Sequence, residues 1–516
     1  MKINNRYIFL ISVIAFSLVS CSGFLDVSPD NRALVDSEKK ITSLLVSAYP
    51  DQSAWLMCEL SSDNADDNGG TWTYYTPLEK QAFTWSDATE KEQDSPQAIW
   101  DGYYHAIAAA NQALQAINDL GNPKSLDAQK GEALICRAYC HFVLANVFCK
   151  SFGNSSSTDL GIPYMEKTET TVAPKYERGS LSAVYSKINL DIQTALPLID
   201  DQIYTVLKFH FNRQAAYAFA TRFNLFYRNY DKVIEYANVV LTSDPLSVLR
   251  DWKYGGTLSN NDNFRPDWFI GKDNGATLLN ITTQSLWGRI YGPYSAGAKY
   301  SHNSAISDNE TLSSSGPWGS SGSFYFTRAS YSSLPKVVSK KFAEYFEYTD
   351  PVNGIGLPHI VQTEFTTDEA LLSRAEAYAL KKDYDNSAKD LATFMTAYSS
   401  AGSQMSRSNI NLYYNKLAYY TPTQPTAKKH LNPDFILEAG EQENFIQCIL
   451  HTRRILTMHE GLRWFDIKRY GIELNRRTVA GNVITVSQNK LTVDDPRRAI
   501  QLPQNVINAG LTANPR

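Results

Sequence analysis

A mostly α fold, built from paired helices and interrupted by one loop-rich, partly β insert, is what the sequence predicts. Three features predict it. Apolar residues recur at spacings of three and four through several long windows, the period of an amphipathic helix. These windows come in pairs joined by Gly, Pro or Asn turns. Between the pairs, residues 249–334 lose the helical period and become rich in Gly, Ser, Asn, Trp and Tyr.

Taken in order, Asp36 or Ser37 can cap a first helix through Lys39, Ile41, Leu44, Leu45 and Ala48. Residues 59–76 read as a polar loop rich in Asp and Asn. From Pro96 onward Trp100, Tyr103, Tyr104, Ile107, Asn111, Leu114 and Ile117 form one stripe, which Gly121-Asn122-Pro123 ends. A partner over about 127–150 carries Ala133, Leu134, Ala138, Phe142 and Ala145, and small facing residues beside a short turn predict an αα-hairpin. After a loop at 151–175, Ser180 caps a helix bearing Val184, Ile188, Ile192 and Leu196. Asn212 starts another through Ala215, Phe219, Phe223 and Phe226, followed by the turn Asn229-Tyr230-Asp231 and a helix through Val233, Ala237 and Leu241.

That turn recurs as Asp383-Tyr384-Asp385, between a helix with Leu372, Ala375, Glu376 and Ala379 and one with Ala388, Leu391 and Phe394. An irregular repeat of this kind is of tetratricopeptide (TPR) type. Short strands are expected at 276–282 and 323–327, a second irregular insert at 404–433, a helix at about 441–458 and a hairpin at about 478–486. The chain then divides into a signal peptide at 1–20 and a single domain at 21–516, with helical scaffold at about 36–245 and 365–470 and the insert at about 249–335.

The N-terminus sets the expected compartment. Lys2 and Arg6 precede an apolar run at 7–19 that is too short to span a bilayer, and Leu18-Val19-Ser20-Cys21 follows as in a bacterial lipobox. Cys21 is therefore the expected lipidation site, although an ordinary secretory signal with an incidental cysteine fits the same residues. The expected mature protein is anchored to a membrane and not embedded in it. Of the six cysteines, Cys58, Cys136, Cys140, Cys149 and Cys448 remain, an odd number with no CxxC pair, so buried unpaired thiols are expected. A formal net charge of −4 and a pI near 6.1 give no electrostatic support to a nucleic-acid role.

Two groups of residues carry the functional question. Glu460, Arg463, Asp466 and Arg469 alternate in sign at a spacing of three, beside Leu462, Trp464 and Phe465. On a helix such a row pairs along one side, which predicts an ion-pair network pinning helices; an active site is the alternative. The second group is aromatic: Trp72, Tyr74 and Tyr75 after the Asp/Asn loop, Trp287, Arg289, Tyr291 and Tyr294 in a segment broken by Gly and Pro, and Trp318 within Gly316-Pro317-Trp318-Gly319. Rings on polar loops stack on the C–H faces of sugars while neighbouring Asn, Asp and Arg take the hydroxyls. The alternative is that the rings pack their loops onto the scaffold. No HExxH, GxSxG or phosphate-binding glycine loop is present, so the expectation is no catalytic residues, no metal and no cofactor. Asn64, Asp66, Asn68 and Gly69 echo a calcium loop, but Tyr75 stands where its closing glutamate belongs.

Four motifs together resemble one family. They are Cys21-Ser22-Gly23-Phe24-Leu25-Asp26-Val27-Ser28-Pro29; Glu132-Ala133 with Arg137-Ala138-Tyr139, and Arg374-Ala375-Glu376-Ala377-Tyr378; the row from Glu460 to Arg469; and Asp495-Pro496-Arg497 with Gln501-Leu502-Pro503. In this order, across nearly the whole chain, they resemble the SusD/RagB outer-membrane nutrient-binding lipoproteins. Thr452 and Leu456 stand where members often carry acids, which marks a divergent member. The resemblance implies a SusD-like fold of TPR-type helix pairs with a loop-rich ligand face, and no enzymatic activity. It also implies an exterior-facing lipoprotein that captures glycan or, in the RagB-like variant, peptide, and passes it to a SusC-like TonB-dependent transporter. A scaffold subunit that binds no ligand is the remaining alternative.

Overall fold

The computed structural model describes residues 35–516, apart from 170, 172, 173 and 332. Cys21, the signal peptide and the Cys21–Pro29 motif lie outside the described residues. The helices are α1 (Glu38–Leu45), α2 (Trp55–Ser61), α3 (Pro77–Thr84), α4 (Pro96–Asp119), α5 (Asp127–Phe148), α6 (Leu181–Ala195), α7 (Arg213–Phe226) and α8 (Tyr230–Leu241), then the short α9 (Pro245–Val248), α10 (Trp252–Thr257), α11 (Phe264–Ile270), α12 (Trp287–Tyr291) and α13 (Ser304–Glu310). The scaffold resumes with α14 (Thr367–Leu380), α15 (Tyr384–Tyr398), α16 (Arg407–Lys416), α17 (Glu441–Leu456), α18 (Leu462–Arg469) and α19 (Gln504–Asn508). None of the described helices is long and apolar enough to cross a membrane.

Local chemistry explains where the scaffold helices begin. Ser95, Ser180 and Asn212 each accept a backbone N–H three residues on, satisfying donors that a helix start leaves unpaired. The predicted repeat is visible in the backbone. Asn229 (φ −97°, ψ 76°) caps α8 and Asp383 (φ −88°, ψ 72°) caps α15, and each follows a left-handed residue, Arg228 or Lys382, at φ 65°. An inter-helix clamp also recurs, on α5–α6 and α14–α15: Arg137 on α5 grips Asp191 on α6 at 2.7 Å through two nitrogens, and Arg374 on α14 grips Asp390 on α15 at 2.8 and 2.7 Å.

The β structure departs most from expectation. β2 (Thr277–Gln284), β6 (Tyr345–Asp350) and β7 (Ile355–Thr366) form an antiparallel sheet in the order β2-β7-β6. β2 matches the strand expected at 276–282, whereas the β6–β7 hairpin lies outside the predicted elements. Asn353-Gly354 at its tip, with Gly354 at φ +67°, is the hairpin signal that marks it. β4 (Ala329–Ser330) pairs with β5 (Val337–Val338). A second sheet in the order β3-β1-β8-β9 gathers β1 (Asp66–Asp67), β3 (Tyr300–Ser301), β8 (Leu474–Ala480) and β9 (Val483–Leu491). The strand expected at 323–327 does not form: a single 3₁₀ turn at Ser321–Ser323 precedes one isolated bridge from Phe324 to Ser399.

The alternating row on and before α18 pairs differently from expectation. Only Asp466 and Arg469 meet within it, at 3.1 Å. Glu460 binds Lys341, Arg463 binds Asp63 at 2.8 Å, and Arg469 binds Glu376 at 2.5 Å. Asp466 also takes Arg453 at 2.9 Å, and Arg453 itself reaches Glu376. The row faces a crowded interior, so its charges find partners on other elements before they find one another. Burial opposes ionisation of Glu376, yet Arg453 and Arg469 outweigh it and hold its pKa at about 2. Ahead of α18, Gly461 sits at φ +72° with an added Cβ only 3.0 Å from the Cys58 side chain, so glycine is needed there. Cys58, Cys136, Cys140, Cys149 and Cys448 are buried free thiols.

Candidate ligand-binding face

The loop after α2 is fixed from beneath by the C-terminal part of the chain. Arg463 grips Asp63 at 2.8 and 2.9 Å, and Arg477 grips Asp66 at 2.9 and 2.8 Å. Burial would raise Asp63, but Arg454, Arg463 and Lys429 outweigh it and hold the carboxyl well below its usual range. Arg476 lies between the Phe83 and Trp85 rings, 4.1 and 4.0 Å from their centroids. Its guanidinium donates to the carbonyls of Leu60, Ser61 and Ser62 at 2.9, 3.0 and 2.7 Å. Of the residues that echo a calcium loop, Asn64 accepts from Arg454, Asp66 accepts from Arg477, and Asn68 donates to Ala298 and Ser301. Among the described residues no group of three or more His, Cys, Asp or Glu is placed to hold a metal ion.

From that base the chain runs upward and presents its rings. Tyr74 is 55% exposed and Tyr75 37%, while Trp72 is half-buried. Tyr75 meets Tyr300 edge-on at 5.4 Å, and Tyr300 stacks on Phe83 at 4.5 Å, so the exposed ring rests on a buried aromatic column. The segment after α12 comes alongside, because Lys299 donates its N–H to the Tyr74 carbonyl at 3.3 Å. Tyr294, 60% exposed, projects from it. Arg289 is held by Glu344 through Nε at 3.0 Å and Nη2 at 2.5 Å, which leaves Nη1 free. Its pKa is raised, chiefly by the hydrogen-bonded Glu344 carboxylate and against its own desolvation. Lys80 stands 6.0 Å from the Tyr75 centroid.

Two buried charges couple these segments from below. Glu79 closes a capping box with Thr76, and burial raises its pKa to about 7. Its Oε2 has no partner and faces Gly297, whose added Cβ would stand 3.1 Å from it and collide with Ile290. Lys336 donates to the carbonyls of Ile290 and Ala296 at 2.6 and 2.7 Å. The turn carrying Tyr294 is thus held at both ends. Glu344, Lys299 and Lys336 belong to this support and carry no sequence signal that would single them out.

Three of the expected ligand-binding residues are elsewhere. Trp287 is buried, with Nε1 donating to the His459 carbonyl at 2.9 Å and its ring 4.9 Å from Tyr291. Tyr291 is buried against His459 and Phe342, at 3.8 and 5.1 Å. Trp318 is 0% exposed, packed on Phe324 and His451 at 5.7 and 4.9 Å. The Gly/Ser loop that carries it folds down onto α17, because Ser314 hydrogen-bonds His451 at 2.7 Å and Tyr413 donates to the Ser315 carbonyl at 2.7 Å. These three rings pack loops onto the scaffold. Tyr74, Tyr75 and Tyr294 remain exposed on two segments joined by the Lys299–Tyr74 backbone hydrogen bond, with Arg289 on the second and Trp72 half-buried on the first.

Residues 23–225 match the SusD-like family described as starch-binding and associating with the outer membrane. No curated protein sequence matches the chain at a significant level. Among solved structures, a SusD superfamily protein from Bacteroides fragilis aligns with a TM-score of 0.63 at 16% identity, covering 92% of this chain and 99% of that one. One from Bacteroides thetaiotaomicron gives 0.61 at 16% identity, covering 92% and 98%. A SusD-like carbohydrate binding protein from Bacteroides vulgatus gives 0.59 at 17% identity, covering 91% and 96%. At such identities the likeness is one of fold, and it extends that fold well past residue 225. The family match thus lies in the N-terminal part of the chain, and the fold of SusD superfamily structures is shared over more than nine-tenths of its length.

Proposed function

We propose that the protein is a surface glycan-binding lipoprotein, anchored in the outer membrane through Cys21. In this reading it captures oligo- or polysaccharide and delivers it to a SusC-like TonB-dependent transporter. The observation that carries the reading is the exposure of Tyr74, Tyr75 and Tyr294 on two joined segments, with Arg289 on the second. Large rings exposed together on supported loops bind something more often than they stand idle. Tyrosine faces pack on sugar C–H surfaces, and the free Arg289 Nη1 can donate to a hydroxyl. Glu344 already neutralises that guanidinium, so Arg289 offers a ligand a hydrogen-bond donor rather than a net charge. The starch-binding description of the family and the carbohydrate-binding relative from Bacteroides vulgatus support the same ligand class.

Affinity electrophoresis against a panel of soluble polysaccharides tests capture. Retardation by at least one glycan is expected, lost when Tyr74 and Tyr294 are both replaced by Ala. Binding to peptides with no retardation by any glycan overturns the glycan reading in favour of peptide capture. Release of a Cys21→Ala variant from the membrane fraction checks the anchor, and co-purification with a TonB-dependent barrel checks the partner. Product formation from a retained glycan would overturn the assignment to capture alone.

A further inference from the structure

On the scaffold, apart from the ring-bearing face, lies a cavity of about 390 Å³. It opens between the turn after α1, the start of α4, the 209–210 turn and strand β2, and shares no lining residue with the face described above. Its volume lies within the range of small-molecule sites, about 300–1,000 Å³. Its back wall is an ordered polar relay. The buried carboxylate of Glu132 accepts from the Tyr49 hydroxyl at 2.7 Å and from His210 Nδ1 at 2.8 Å. Tyr49 in turn accepts the Phe211 N–H at 2.7 Å. The His210 ring is clamped flat on Tyr204, 4.6 Å between centroids and 12° apart, and meets Tyr49 edge-on at 6.0 Å.

With Nδ1 committed to Glu132, His210 keeps Nε2 without a hydrogen-bond partner among the described residues. The bond that helps to satisfy the buried Glu132 carboxylate also fixes the orientation of the His210 ring in the cavity wall. Other unpaired polar groups converge on the same space from different elements. Ser47 and the Asp51 carboxylate come from the turn after α1, His105 from α4 and Thr282 from β2, all at solvent-exposed positions and none with a side-chain hydrogen bond among the described residues. Val46, Phe209 and Ile281 supply apolar surface between them.

We infer that this cavity is a second binding site, for a neutral, hydroxyl-rich ligand of one or two sugar rings. Three features select that class. The described lining contains no lysine or arginine, so nothing there compensates an anionic ligand. A sugar hydroxyl, which both donates and accepts, can meet the Asp51 carboxylate as donor and His210 Nε2 in either role. The polar groups are spread around the cavity instead of gathered at one point, which suits a ring carrying hydroxyls on every side better than a single ammonium. The arrangement of Asp51, His105 and His210 does not meet the requirements of a metal site.

Isothermal titration of the purified protein with glucose, galactose, maltose and cellobiose tests this, with glucuronate and glucosamine as charged probes. At least one neutral sugar is expected to bind with one-to-one stoichiometry, and glucuronate at least tenfold more weakly than glucose. Asp51→Asn and His105→Ala, both at exposed positions, each weaken binding tenfold or more without changing the melting temperature. The titrations are run in the Tyr74→Ala/Tyr294→Ala background, where the ring-bearing face is disabled, so that one-to-one binding and its loss in the cavity variants report on the cavity alone. The inference is overturned if no neutral sugar binds, if binding survives both cavity variants, if glucuronate binds as tightly as glucose, or if glucosamine is preferred tenfold over glucose. Should Asp51→Asn fail to fold, His105→Ala alone decides the case.

Discussion

The loop over residues 62–75 and the loop over residues 313–322 are alike in composition and opposite in use. Both mix small polar residues and glycine with large aromatics. The first turns Tyr74 and Tyr75 outward, whereas the second seals Trp318 beneath itself. What differs is where each loop is held. The first is gripped at its base, by Arg463 on Asp63 and Arg477 on Asp66, so its distal end stands clear. The second is pinned along its length by Ser314 on His451 and Tyr413 on Ser315, so its ring is pressed down. Attachment points decide whether an aromatic loop is a surface or a plug.

The largest expected effect falls on the base of the first loop. Arg463→Ala leaves Asp63 buried with only Lys429 at 3.5 Å and Arg454 at 3.4 Å. Breaking a buried pair in this way costs about 3–5 kcal/mol, read by urea denaturation. If Arg463→Ala unfolds as the wild type does and only glycan affinity falls, the base is not what holds the loop. Trp318→Ala empties the plug and costs about 3–5 kcal/mol, with polysaccharide retention of the folded protein unchanged. Lost retention at wild-type stability would place Trp318 with the binding rings.

A smaller effect is set by pH. The pKa of Glu79 is raised in the folded state to about 7, so its contribution is full below its unfolded value of about 4.5 and is lost as pH rises toward 7. Glu79→Gln, which preserves the capping box, should match the wild type near pH 4 and exceed it in stability near pH 8. Glu310, held at about 2 by Lys429, Arg454 and Arg477 against its burial, behaves oppositely: its contribution is present above about 4.5 and lost only as pH falls toward 2. The smallest stability change belongs to Tyr74→Ala/Tyr294→Ala, about 0.5 kcal/mol or less by thermal melting, beside a loss of glycan affinity of about tenfold. A large stability loss there would mean that the exposed rings are structural after all.

The sequence was readable wherever the deciding forces were local. Helix windows such as α4, α6 and α7 follow from apolar spacing and from caps within three residues, so their existence and approximate bounds are legible. β1 and β3 are two residues each and exist only because distant chain meets them, so no local pattern announces them. The same applies to the rings. Trp287 is buried because His459 lies over it, a partner 172 residues away, and Trp318 because His451 receives its loop. The charge row from Glu460 to Arg469 was legible as a network, but its partners Asp63, Lys341 and Glu376 were not, because spacing reports neighbours along a helix and not across a core. The β6–β7 hairpin is a different case, since Asn353-Gly354 did announce it.

The clamp on Asp63 has a consequence for the order in which the molecule is made. Its partner lies 400 residues downstream, and the partner of Asp66 lies 411 residues downstream. Contacts of such separation form late, after the intervening chain has been ordered. The face carrying Tyr74 and Tyr75 is therefore among the last parts of the molecule to be completed, although its residues emerge among the first. A chain truncated before Arg463 keeps every exposed ring on that loop and loses what points them outward.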